Sequence, residues 1–279
     1  MNAQRCERQA IVVAVTSGKG GVGKTNVSVN VAVALSRLGH RVALVDADFG
    51  LGNVDVMLGL TPEVHVAHLL SGERRLHDVL VDGPGGLQVL PAGSGVQTLT
   101  ALSEPQRARM ADAIQQARTA FDYVIIDTAA GISDNVVETL KLSEHVLLVT
   151  SLDPAALVDA YALAKVLWTT SPDAQIGLVV NGARDGAEGR LAFKQIDLAA
   201  ERFLGRRVTY LGFIPDDASV REAVTLQRPV IEHLPQAPAS RGFRLLANRV
   251  ASLKGGGSAL RLVPATTAAA HAREVSECA

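Results

Sequence analysis

Two lysines, a threonine and three aspartates in the first half of the chain have the types and spacing needed to hold a nucleoside triphosphate and cleave it. Gly18-Lys19-Gly20-Gly21-Val22-Gly23-Lys24-Thr25 is a complete phosphate-binding loop. Its glycines let backbone N–H groups turn toward phosphates, Lys24 neutralises the terminal phosphates, and the Thr25 hydroxyl is placed to hold Mg²⁺. Lys19 is surplus to these roles. A cation so early in the loop cannot easily fold back on its own nucleotide, so it points to the nucleotide of a second subunit and to an ATPase that dimerises. The same residues also spell a dinucleotide fingerprint, Gly18-x-Gly20-x-x-Gly23, with Asp46 where a ribose-binding acid would stand. Lys24-Thr25 decides against it, because a dinucleotide site has no use for that pair at a helix start.

Asp46-Ala47-Asp48 follows a strand over 41–45, which puts both carboxylates at the carboxyl end of the sheet beside the loop. They suit Mg²⁺ and the attacking water. The run from Phe49 to Asp55 carries Gly50 and Gly52 and reads as a mobile segment able to close over a γ-phosphate. Asp127 ends a second apolar run and is the acid that phosphate-loop enzymes use to hold Mg²⁺ through its water shell. The metal set is therefore Thr25, Asp46 and Asp127. Catalysis in such a site is mostly positioning and charge neutralisation, with Lys19 and Lys24 on phosphate and Asp48 orienting water, and it is slow until a partner completes it. Asn181 and Pro215-Asp216-Asp217 end two later strands; they could read an adenine edge or be ordinary turns, and periodicity alone does not choose. His65, His68 and His77 have no ligand spacing.

These groups must be positioned by the elements around them. Apolar strand candidates recur at 11–16, 41–45, 87–90, 123–126, 146–150, 176–180 and 210–214, with helical patterns between most of them. That alternation predicts one α/β domain: a doubly wound, mostly parallel sheet with helices on both faces. A helix over 26–38 follows the loop, so phosphate would lie at a helix N-terminus. A last helix over 240–253 repeats Phe243, Leu246, Val250 and Leu253 with Arg241, Arg244 and Arg249 between them. Packing on the sheet is favoured over a membrane surface for that stripe. Domain boundaries follow as a short arm over 1–9, the ATPase domain over 10–253, and a flexible tail over 254–279 that opens on Lys254-Gly255-Gly256-Gly257-Ser258.

A chain of 279 residues, 48% hydrophobic and 20% charged, suffices for one such core. Its net charge of −1 argues against a broad nucleic-acid surface, so direct DNA binding is not expected. Cys6 and Cys278 form no redox or metal pattern, the first nine residues are polar, and no run is long enough to span a membrane. A cytoplasmic protein is expected.

Taken together, Lys19 to Thr25, Asp46-Ala47-Asp48 and Asp127-Thr128-Ala129-Ala130-Gly131 resemble the MinD/ParA family of deviant phosphate-loop ATPases. The resemblance runs from Ile11 to Leu253. It implies the cofactors ATP/ADP and Mg²⁺, an ATP-sandwich homodimer that dissociates after hydrolysis, a cross-subunit role for Lys19, a hydrolytic role for Asp48, and adenine contacts from Asn181, Pro215 and Asp217. Asn26 and the stretches from Gly23 to Asn30 and from Gly50 to Pro62 are most similar to the FlhG/FleN branch, which regulates flagellar number. By that resemblance the partners are a second copy of the chain, a FlhF-like GTPase and a FleQ-type transcriptional activator. The arm over 1–8 lacks the acidic, glutamine-bearing helix some of that branch use on the GTPase, and the tail lacks a MinD-type membrane helix. Weak peripheral contact at the inner face of the membrane or the cell pole is then left to a dimer that pairs two tails. Two alternatives stand beside this reading: a spatial organiser of division or cargo segregation, and, ranked last, an enzyme that activates a carboxylate for amidation.

Overall fold

A computed structural model describes residues 9–93 and 102–253. All of the expected arm over 1–9 except its last residue, and the whole of the tail, lie outside the described residues. Eight strands form one sheet: β1 (Ile11–Ser17), β2 (Val42–Ala47), β3 (Val81–Asp82), β4 (Gln88–Leu90), β5 (Tyr123–Ala130), β6 (His145–Thr150), β7 (Gln175–Ala183) and β8 (Thr209–Pro215). Their order is β3-β4-β2-β5-β1-β6-β7-β8, and every pair is parallel except β3 with β4. Strands covered on both faces need apolar residues at every position, which is why Val12, Val13, Ala14 and Val15 of β1 are all fully buried.

Helices fill both faces. On one side lie α1 (Lys24–Arg37), α2 (Val54–Leu58), α10 (Val230–His233) and α11 (Pro238–Ala251), and on the other α3 (Val66–Ser71), α4 (Leu76–Val79), α5 (Glu104–Ala120), α6 (Asp134–Lys141) and α8 (Gly186–Leu204). The long α7 (Pro154–Thr170) gives most of its buried residues to that second core, and α9 (Ala218–Thr225) precedes α10. The apolar stripe of α11 is spent on the sheet: Phe243, Leu246, Val250 and Leu253 are all buried. Its arginines bind main-chain carbonyls, Arg241 that of Gln236 (2.8 Å), Arg244 that of Pro235 (2.7 Å) and Arg249 that of Leu211. No helix among the described residues is long and apolar enough to cross a membrane.

The strand order decides what can meet. Because β5 is inserted between β1 and β2, the carboxyl ends of these three strands stand side by side, with Asp46 directly opposite Asp127 in the ladder. The ends of β7 and β8 lie across β6 from β1.

Candidate functional site

The loop after β1 is shaped by glycines at the points where a side chain cannot go. A Cβ on Gly18 would overlap the main chain of Asp159 in α7, so the loop can rest on that helix only with glycine there. Gly21 and Gly23 hold positive φ angles of 80° and 89°. Gly23 stands at the N-cap of α1 and offers no side-chain cap, which leaves the first N–H groups of that helix open to an anion. From the end of β7, Asn181 donates its amide to the Val22 carbonyl at 2.8 Å and occupies the space a Gly23 side chain would need.

Below the loop lies a buried cluster of charge. Lys24 Nζ is 3.1 Å from Asp127 Oδ1, with both side chains almost wholly inaccessible. Ser28, one turn along α1, donates its hydroxyl to the same oxygen at 2.7 Å. Asp127 Oδ2 is buried and has no hydrogen-bond partner among the described residues. Beside it, Asp46 accepts the Asp48 N–H on Oδ1 (3.1 Å) and the Val54 N–H on Oδ2 (3.2 Å). Burial first, and then the charge of Asp127, push the Asp46 carboxyl up to about 8.

Two adjacent carboxylates, one with an unsatisfied oxygen, fit a divalent cation. No three His, Cys, Asp or Glu side chains among the described residues form a cage by themselves. A hard cation here would share its shell with Thr25, phosphate oxygen and water, as Mg²⁺ does.

The raised Asp46 pKa has a consequence for the nucleotide-free protein. Between its ordinary value of 3.8 and about 8, the folded chain holds a proton that the unfolded chain has released. Stability from this group is therefore complete below pH 4 and lost as pH rises toward 8. Asp46→Asn cannot titrate, so the wild type should lose stability relative to it from pH 5 to pH 8, by up to about 1.4 kcal/mol per pH unit. Urea unfolding of both proteins in a metal chelator checks this; parallel curves would refute it.

The segment after β2 is folded onto Asp46. Gly52 packs between Ala92 and the Asp46 carboxylate, with no room for a Cβ. Asp48 Oδ1 accepts the Leu51 N–H at 3.2 Å, and Leu51 itself is 78% exposed. The expected closing segment is thus a turn tied at both ends to the carboxylate it covers.

Residues 10–172, more than half of the chain, match the family described as an AAA domain. The chain is similar to the antiactivator FleN of Pseudomonas aeruginosa, at 46% identity over 86% of each chain. The chain belongs to the MinD/ParA family of ATPases. It is also similar to the flagellum site-determining protein YlxH of Helicobacter pylori, 32% identical over 76% of this chain and 72% of that one. Among solved structures, the cell division ATPase MinD of Pyrococcus furiosus matches 87% of this chain and 98% of its own with a TM-score of 0.71 and 26% identity.

In this MinD/ParA ATPase the remaining sequence-derived residues fall in three places. Lys19, half-exposed, reaches Asp153 Oδ2 of its own chain at 2.5 Å, and Asp153 also caps α7 through the Ala155 N–H. Lys19 beside it holds the Asp153 carboxyl below the usual range. Thr25 and Asn26 sit in the first turn of α1, where the Asn26 carbonyl accepts the Asn30 amide. Both oxygens of Asp217 are taken by main chain, from Ser219 at 2.9 Å and Ala239 at 2.9 Å, so its side chain braces α9 and α11.

Sequence reasoning missed Ser28, the loop-bracing amide of Asn181, and Asp153. Ser28 had a signal, since it lies four residues after Lys24 on one helix face. The other two depend on strand order and had none.

Proposed function

We propose that this chain is an ATP-driven switch that limits the number and placement of flagella by restraining a transcriptional activator. The observation that carries this is its similarity to an antiactivator, FleN, over nearly the whole of both chains. The finer assignments are a FleQ-type activator as the restrained partner, a FlhF-like GTPase as counterpart, an ATP-dependent homodimer as the active state, and a cytoplasmic location with weak contact at the membrane or pole.

The site residues support a consistent course of events. ATP enters with its phosphates against the open N–H groups of α1, and Lys24 exchanges Asp127 for the terminal phosphates. Ser28 keeps hold of Asp127 as Lys24 leaves. Asp127, Asp46 and Thr25 would hold Mg²⁺, which when bound neutralises charge on the β- and γ-oxygens. Asp48 leaves the Leu51 N–H and orients water in line with the γ-phosphate. Lys19 leaves Asp153 and crosses to the nucleotide of the second copy; a surface pair of this kind is weak enough to exchange.

Lys19→Ala should keep ATP affinity within about twofold, because Lys24 and the backbone cradle remain, and lose ATP-dependent dimerisation. Nucleotide titration and light scattering on one sample check both halves, and a wild-type dimer would remove the cross-subunit role. The function itself is tested by deleting the gene in its native host and counting flagella by electron microscopy. Extra flagella per cell are expected, and an unchanged count would contradict the proposal.

A further inference from the structure

We infer that a small cavity at the β8 edge of the sheet is a seat for the carboxylate of an acidic side chain presented by a partner protein. The cavity has a volume of about 110 Å³ and lies between α8, β8 and α11, away from the phosphate loop. Its polar groups are Arg190, Tyr210 and Arg249, and its apolar walls include Phe213 and Leu245.

The backbone is bent to admit one of these groups. Tyr210 pairs with Leu178 and Gly212 with Val179, so Leu211 is the extra residue of a bulge. Gly212 has a φ of 116°, and a Cβ on it would collide with Arg249 Nη1. The guanidinium thus enters between β8 and α11 and donates to the Leu211 carbonyl.

Protecting an edge-strand bulge explains one of its five N–H donors. It explains neither of the other groups. Among the described residues neither Arg190 nor Arg249 forms an ion pair, although Asp185, just before α8, acts on Arg190 electrostatically from beyond contact distance. Burial lowers the pKa of Arg249, a sign that its charge lacks compensation. The Tyr210 hydroxyl is buried against Gly189 with no hydrogen-bond partner, and its ring is fixed by Phe193 at 4.9 Å between centroids. Both arginines act on that hydroxyl electrostatically.

Two guanidinium groups and a hydroxyl around one space, with a single main-chain carbonyl and no carboxylate at ion-pair distance, are complementary to a planar anion with two acceptor oxygens. The volume suits a carboxylate on a short stem and is too small for a nucleotide. Leu245, 54% exposed at the rim, favours an acidic residue flanked by apolar ones over a free, strongly hydrated anion. The near-neutral chain does not gather polyanions.

The test titrates the full chain with capped Leu-Glu-Leu, its Leu-Gln-Leu analogue and inorganic phosphate, following the arginine side-chain Nε–H signals by NMR. The glutamate peptide should shift the Arg190 and Arg249 signals saturably, at least tenfold more tightly than the glutamine peptide or phosphate. Arg190→Gln, on an exposed stretch of α8, should weaken it at least tenfold, and Tyr210→Phe severalfold, with ATP hydrolysis unchanged in both. Equal binding of the two peptides, tighter saturation by phosphate, or full affinity in Arg190→Gln would each overturn the assignment.

Discussion

Lys24→Ala is expected to yield a protein that no longer binds ATP and that is less stable without it. Among the described residues the Lys24 ammonium is the one positive group paired with Asp127, and both are buried. Removing it leaves Asp127 with the Ser28 hydroxyl alone and a second carboxylate alongside. Breaking a buried pair in this way costs about 3–5 kcal/mol. For the nucleotide, loss of the phosphate countercharge should weaken binding at least about a hundredfold, since each factor of ten corresponds to about 1.4 kcal/mol. Titration with a fluorescent ATP analogue and urea unfolding read the two effects. Unchanged ATP affinity would remove Lys24 from the site.

Asp48→Ala should do the reverse: bind ATP normally and hold it uncleaved. Among the described residues the carboxylate accepts one hydrogen bond, from the Leu51 N–H in an exposed turn, so its loss should cost little stability. A group that orients water or takes its proton contributes about 10²–10⁴-fold to the rate. Single-turnover hydrolysis should fall by a factor in that range while the ATP-bound dimer accumulates. A variant that hydrolyses at the wild-type rate, or stays monomeric with ATP and Mg²⁺, would contradict the role given to Asp48.

Much of this arrangement is written locally. The loop glycines, Lys24 and Thr25 are contiguous, so their joint chemistry needs only a strand before them and a helix after. The parallel sheet is legible from the alternation of apolar runs and helical stripes, and seven of its strands fall where those runs predict them. Strand order is different in kind, because nothing in a local window says that β5 is inserted between β1 and β2. The sequence places Asp46 and Asp127 at the same edge; only the order makes them neighbours and adds the charge of Asp127 to the burial that lifts the Asp46 pKa. The eighth strand, β3, has two residues and no periodicity to detect, and the four-residue α4 and α10 are equally short. The same limit explains Asn181, which sequence places at a strand end but only the fold sets against Val22. Arg249 looks like one more cation on a basic helix until the bulge at Leu211 draws it inward.

Lys24 pairs with Asp127 and Lys19 with Asp153, and a bound phosphate would have to displace both carboxylates to engage the two lysines. A switch built this way requires that the number of chains in the assembly follow the nucleotide. The most direct measurement is the mass of Asp48→Ala by light scattering, in Mg²⁺ with ADP and then with ATP. The account predicts one chain with ADP and two with ATP; the same mass in both would contradict it.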